Sequence, residues 1–239
     1  MRTAQTIRKR ISDRGPDSLW TFDDFDGLTH YAVAKTLSRL AKYGFIRRVR
    51  KGLYYYPRMT ALGLSRPGTS ALLAKAIRRS NGDMIYSGGT ASFQNLGITT
   101  QIPAHYTLLG NLAPRKIHIG EVTVRIRRRS FSHMAGVSQQ DIWILDSIRN
   151  LKNVPDSTPT DAVTKIIGHL RTSGRSMKKL LRFAQSEPPR VRAVLGAIAE
   201  QMGYRGPETG MLKQSLNPLT KYHVDVASAL PNATSWNIV

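Results

Sequence analysis

An apolar stripe, Val33, Leu37 and Leu40, followed at once by Gly44 and two short strand-like runs, constrains the N-terminal part of this chain more than any other feature. The i, i+4, i+7 spacing puts the three side chains on one face of a helix, which must be buried against something. Gly44 stands where a helix C-terminal glycine belongs. Phe45 to Val49 and Leu53 to Tyr56 then read as two strands joined by a tight Arg50-Lys51-Gly52 turn, with Pro57 closing the second. Upstream, Thr3 to Arg14 reads as a helix with Ile7 and Ile11 inward, ended by Gly15-Pro16. Thr21 is a good N-cap for a short helix, Phe22 to Phe25, whose Asp23 and Asp24 suit its first turn. Gly27 breaks that segment, and Thr29 caps the helix that carries the stripe. Helix, short helix, turn, helix and basic hairpin, in that order, predict a winged helix-turn-helix.

If the stripe points inward, Tyr31, Lys35, Ser38, Arg39 and Lys42 point outward, beyond an N-terminal turn of Thr29 and His30. Such a face suits a recognition helix, whose first turns meet base edges while later cations meet phosphates. Arg47, Arg48, Arg50 and Lys51 would lie on the wing. Charge supports this reading. Lys and Arg number 36 against 15 Asp and Glu, a net +21, so a polyanion is the natural partner, nucleic acid before an anionic membrane surface. Between Gly27 and Gly82 there is no Asp or Glu, although Lys35, Arg39, Lys42, Arg47, Arg48, Arg50, Lys51, Arg58, Arg66, Lys75, Arg78 and Arg79 all fall there. An ordinary solvated face mixes both signs, so a stretch of one sign this long favours phosphates.

The expected fold class is α+β: the winged helix-turn-helix, then a mixed α/β middle region and a helical C-terminal region. Residues 1–58 form the predicted DNA-binding domain. Gly63, Pro67 and Gly68 mark a linker over 59–67. The remainder, 68–239, reads as a second domain, mixed over 68–135, mainly helical over 139–203, with an extended tail over 204–239. Gly68 to Ser80 is expected to be helical with Leu72, Leu73, Ala76 and Ile77 inward. Met84 to Tyr86, Tyr106 to Leu109, Lys116 to Ile119 and Glu121 to Arg127 suggest a small sheet. Ile142, Leu145 and Ile148 stripe one later helix, and Ala162, Val163, Ile166, Ile167 and Leu170 another. Ser176 caps a third, and Pro188-Pro189 opens a fourth that Gly203 closes. The tail has too many Gly, Pro and Asn for helix and wraps the body through Leu216, Tyr222, Leu230 and Trp236.

No catalytic constellation emerges. Asp141 and Asp146 flank an apolar stripe at a spacing poor for paired carboxylates. Ser87-Gly88-Gly89 before a helix could cradle a phosphate, but the Lys-Ser or Lys-Thr of a P-loop is missing, and ordinary helix-start packing is favoured. The histidines have no metal-ligand spacing, and the chain has no Cys, so neither metal, cofactor nor disulfide is expected. No run approaches the roughly eighteen apolar residues of a membrane span, and the N-terminus lacks a signal peptide's apolar run, so a cytoplasmic location without membrane partners is expected. Two more basic clusters, Arg115 to Arg129 and Arg171 to Arg192, fit either a binding or a solvated surface.

The segment Ala34, Leu37-Ser38-Arg39-Leu40, Gly44, Ile46, Arg48-Val49-Arg50-Lys51-Gly52 and Tyr54 resembles the start of AbiEi-type antitoxins of bacterial type IV toxin-antitoxin systems. Ser87-Gly88, Ala91, Leu96-Gly97, Gln101, Pro103 and Arg115-Lys116-Ile117 with Ile119-Gly120 are similar to the middle of that family and its AbiEi-like regulators. Leu216-Asn217-Pro218 and Trp236-Asn237-Ile238 are similar to its tail. The resemblance implies a repressor of its own promoter that binds inverted repeats of duplex DNA. It also implies an antitoxin that counters a nucleotidyltransferase-like toxin, with no stable complex required and direct contact left open. It implies no catalytic residue. The alternative from another class is a protein that binds tRNA or ribosomal RNA, because the same positive field attracts any polyphosphate.

Overall fold

The computed structural model describes residues 3–78, 85–131 and 133–239, without the side chains of Ser70 and of residues 76–78. Ala76 and Ile77, expected to point inward, and Arg79, Ser80 and Met84 therefore lie outside what is described. The protein is mixed α+β and divides into two compact units, Met1–Gly82 with His118–Val122, and Asp83–Ile117 with Thr123–Val239.

The first unit runs α1 (Thr3–Arg14), β1 (Ser18–Trp20), α2 (His30–Lys42), β2 (Arg47–Arg50), β3 (Leu53–Tyr56), β4 (Met59–Thr60), β5 (Gly63–Leu64) and α3 (Thr69–Arg78). β1, β3 and β2 form an antiparallel sheet in that order. Ile7 and Ile11 of α1 and Val33 and Leu37 of α2 share one buried cluster with Trp20, Phe25, Ile46 and Tyr54. The stripe of α2 therefore does face inward, with Leu40 packed at the edge. Gly44 ends α2 at φ 74°, a conformation that costs glycine nothing.

Three expectations are corrected here. Phe22–Asp24 is a single 3₁₀ turn rather than a short α-helix: Thr21 and Asp24 close a capping box at its start, and Phe25 already leaves helical backbone at φ −124°, ψ 58° before Gly27 turns the chain at φ 79°. Ser18–Trp20, not read as a strand, pairs with β3 through Trp20 opposite Tyr54. The segment at 59–67 is not a bare linker: β4 and β5 pair, and the first unit extends to Gly82. What holds it is polar. The Ser65 hydroxyl and the Tyr55 hydroxyl both donate to Asp17, at 2.6 and 2.5 Å, and Lys75 of α3 binds both oxygens of Asp24 at 2.7 and 2.6 Å.

The second sheet has the order β6 (Tyr86–Gly88), β7 (Tyr106–Gly110), β9 (Val122–Arg128), β8 (Arg115–Ile119), with β6 antiparallel and β9 parallel to β7. α4 (Thr90–Asn95) follows β6. Then come α5 (Gln139–Arg149), α6 (Pro159–Thr172), α7 (Met177–Ala184), α8 (Pro189–Gln201) and α9 (Pro207–Gln214). The expected stripes of α5 and α6 are buried in one core that also takes Leu216, Tyr222, Leu230 and Trp236 from the tail. That tail is not wholly extended. Pro207 sits in the first turn of α9, where its missing N–H is no loss, so the Pro-Gly composition that argued against helix marks a helix start instead. Trp236 lies on Gly196 of α8, where any Cβ would come within 2.2 Å of the indole, and its Nε1 donates to Glu200 at 2.8 Å.

Asp17 and Asp24 tie stability to pH. The hydroxyls of Ser65 and Tyr55, then Arg58, hold the Asp17 carboxyl below its ordinary value. At Asp24 burial opposes ionisation most strongly, but Lys75 and the N–H and hydroxyl of Thr21 outweigh it and lower the pKa. Both carboxyls bind protons more weakly when folded. Their stabilisation is therefore present above the ordinary value of 3.8 and drains away as pH falls through the lower folded values. Asp24→Asn is expected to cost about 1 kcal/mol at neutral pH, as a lost cap does, and to make unfolding less steep in acid. Circular dichroism in urea between neutral and acid pH checks this; an unchanged acid limb would show that Asp24 is not a coupled group.

Candidate nucleic-acid interface

α2 presents the polar surface anticipated for it. Thr29, His30, Tyr31, Lys35, Ser38, Arg39 and Lys42 are all exposed, Tyr31 to 74%. Thr29 occupies the N-cap position in extended backbone, yet its hydroxyl makes no capping bond. The start of α2 is fixed by rings instead: His30 meets Phe22 edge-on at 4.6 Å, and Phe22 lies 6.3 Å from the ring of Tyr54 in β3. Lys35 lies 5.9 Å above the Tyr31 ring, so an aromatic and a cation share one outward patch. β2 and β3 form a hairpin with a register shift between Arg48 and Arg50, which increases twist. Arg47, Arg48 and Lys51 are exposed on it, and Arg50 is half-buried.

Three of the first unit's carboxylates engage other cations. Asp24 takes Lys75 and Arg14, Asp17 takes Arg58, and Glu121 takes Arg66. Arg14 also covers Trp20 and Arg8 covers Phe45. Among the described residues, no carboxylate lies within ion-pair reach of Lys35, Arg39, Lys42, Arg47, Arg48 or Lys51. Asp17 and Asp24 thus neutralise scaffold cations, while Lys35, Arg39, Lys42, Arg47, Arg48 and Lys51 have no carboxylate partner among the described residues. Such charges repel one another in the free protein and are relieved by an anion.

A model of DUF6088, a family of unknown function, matches residues 6–179. The chain belongs to this family. The match runs from α1 into α7 and so takes in all of the α2 and β2–β3 surface. No curated protein matches the chain. The crystal structure of the RV2827C protein from Mycobacterium tuberculosis is similar, with a TM-score of 0.54 and 11% identity over 92% of this chain and 82% of that one. At that identity the likeness is one of fold.

In the second unit of this DUF6088 protein, the structure sorts residues that sequence alone left mixed. Ser87-Gly88-Gly89 is a packing site. Gly88 ends β6, a Cβ there would meet Leu109 at 2.5 Å, and the Gly89 N–H donates to Asp146 at 2.6 Å. The place a phosphate would take is filled by that carboxylate, which also accepts from Ser92 at 3.1 Å. Asp141 and Asp146 serve separate ends of α5: Asp141 caps it with Ser138 and binds Arg175, whereas Asp146 binds Arg129. Arg129 is buried between Asp146 and Glu187, Glu187 also takes Arg149, and Arg190 donates to the Arg149 carbonyl at 2.7 Å. Arg129, Arg149, Arg175 and Arg190 are therefore structural. The sequence signal for this network was only that Arg129 follows a strand-like run and Glu187 precedes Pro188-Pro189, too little to pair them.

Arg115, Lys116, Arg125, Arg127 and Arg128 are exposed instead, with Arg125 and Arg127 alternating against buried Val124 and Ile126. Burial, then Arg125, Arg127 and Lys116, push the His105 imidazole below its ordinary pKa. Among the described residues no group of three or more His, Cys, Asp or Glu could hold a metal ion, and no helix is long and apolar enough to cross a membrane.

Proposed function

We propose that the first unit is a winged helix-turn-helix that binds duplex DNA, with α2 as recognition helix in the major groove and the β2–β3 hairpin as wing. One observation carries this reading: among the described residues the exposed cations of α2 and the hairpin lack acidic partners, while Asp17 and Asp24 are engaged by other cations. Tyr31 and Lys35, nearest the start of α2, read base edges; Arg39, Lys42, Arg47, Arg48 and Lys51 contact phosphates. The resemblance to AbiEi-type antitoxins supports the biological role, repression of the protein's own promoter at inverted repeats and relief of a nucleotidyltransferase-like toxin. It also supports the second unit as the antitoxin part and a cytoplasmic location. The protein then has no reaction of its own.

Tyr31→Ala and Lys35→Ala are expected to relax sequence preference more than total affinity, each lost base contact costing about 1–3 kcal/mol of discrimination. Footprinting on the upstream region against random duplex checks this. An unchanged ratio of specific to random binding would move base readout away from α2.

A further inference from the structure

The second unit contains a cleft of about 660 Å³ that the DNA reading does not use. Its walls come from α7, from the start and middle of α9 and from His133 and Ala135. The volume lies inside the roughly 300–1,000 Å³ of small-molecule sites. α7 shapes it by amphipathicity. Leu180, Leu181, Phe183 and Ala184 are buried in the core, so Lys178, Lys179 and Arg182 are turned outward toward the opening. Ser176 caps the helix by accepting from the Lys179 N–H at 3.3 Å, which fixes where that row of cations begins.

A single carboxylate lines the cleft. Glu208 is 6% exposed, accepts from the Tyr204 hydroxyl at 2.8 Å and lies 3.8 Å from Lys178. The Tyr204 hydrogen bond, ahead of Lys178 and Arg182, keeps its carboxyl below the ordinary value and hence charged at neutral pH. It therefore tethers Lys178 and repels anions from the α9 wall. Lys179 meets only the face of Phe183, at 5.6 Å, and Arg182 has no carboxylate within ion-pair reach among the described residues. Two cations thus remain for a ligand on the α7 wall, and the other side offers Ala135 and Met211, the latter 53% exposed. A bare inorganic anion would leave that apolar side unfilled.

We propose that this cleft binds a phosphorylated small molecule, its phosphates on Lys179 and Arg182 and its organic part along Met211 and Ala135. The proposal is independent of DNA binding by the first unit, because its residues all belong to the second. Its test is a titration of the isotope-labelled full-length protein with ADP, ribose 5-phosphate, adenosine and inorganic pyrophosphate at physiological salt. ADP or ribose 5-phosphate is expected to saturate below about 1 mM and to shift amides of 133–135, 176–183 and 208–211. Adenosine should not bind, and pyrophosphate should bind more weakly than the better organic phosphate. The double variant Lys179→Gln with Arg182→Gln should weaken binding at least about tenfold, an effect of ~1.4 kcal/mol, with its unfolding curve unchanged. Saturation by neither organic phosphate, equal binding of pyrophosphate, or undiminished binding by the double variant would overturn the proposal.

Discussion

Replacing Glu187 by Ala is expected to destabilise the second unit by about 3–5 kcal/mol, among the largest effects any single substitution in this protein should have. The side chain is 1% exposed and holds two guanidiniums, Arg129 through one oxygen and Arg149 through the other at 2.6 Å. The two partners differ in what they can do next. Arg149 is 37% exposed and can turn to water, whereas Arg129 is 6% exposed and would keep only Asp146, at 3.3 Å. Two cations and two carboxylates balance in the native cluster, so truncating one acid leaves a net positive charge in a site with little water. The loss should spread, because Asp146 also fixes Gly89 and Ser92 at the start of α4. Removing the buried cation as well, in Arg129→Met with Glu187→Leu, should recover part of the stability, since a well-packed apolar replacement of a buried pair is often neutral. Urea unfolding of the three proteins checks both statements. A loss below about 1 kcal/mol for Glu187→Ala would mean that water reaches Arg129 and the cluster is not truly buried.

Legibility in the sequence followed the range of the interactions. Local signals read correctly: the stripe of α2, the Gly44 stop, the Arg50-Lys51-Gly52 turn and the Ser176 cap each depend on residues within a few positions. The faces of α2 followed from helical period alone, which is why every residue expected outward on it is exposed. Missed features depend on distant partners. β1 has only three residues and exists because Tyr54 to Tyr56 offer an edge far along the chain. The first unit continues past the expected linker because Asp17 and Asp24 bind Ser65 and Lys75, contacts 48 and 51 residues apart. Composition misled in the tail, where many Gly, Pro and Asn argue against helix although a first-turn proline such as Pro207 is well tolerated. The basic clusters could not be sorted from sequence for the same reason: Arg127 and Arg129 share strand parity, and what separates them is that Arg129 lies just past the end of β9 and meets acids that arrive from α5 and from the residue before Pro188-Pro189.

The central claim, that α2 and the hairpin are the phosphate-contacting face of a duplex-DNA reader, is tested most directly by salt-dependent binding of the full-length protein and of one variant. In that variant Arg39, Lys42, Arg47 and Arg48 are all changed to Gln. All four are exposed and without acidic partners among the described residues, so the substitutions should leave folding within about 0.5 kcal/mol per site. Each phosphate contact contributes about 0.9 to the slope of log affinity against log salt, so four lost contacts should flatten it by roughly 3.6. Between about 50 and 200 mM salt the native protein should then lose on the order of a hundredfold more affinity than the variant. The same titration with tRNA as competitor separates the two nucleic-acid readings. The account predicts the flattened slope on duplex from the protein's own upstream region, with tRNA a much poorer competitor than that duplex. An equal slope for native protein and variant, or tRNA competing as well as the upstream duplex, would contradict it.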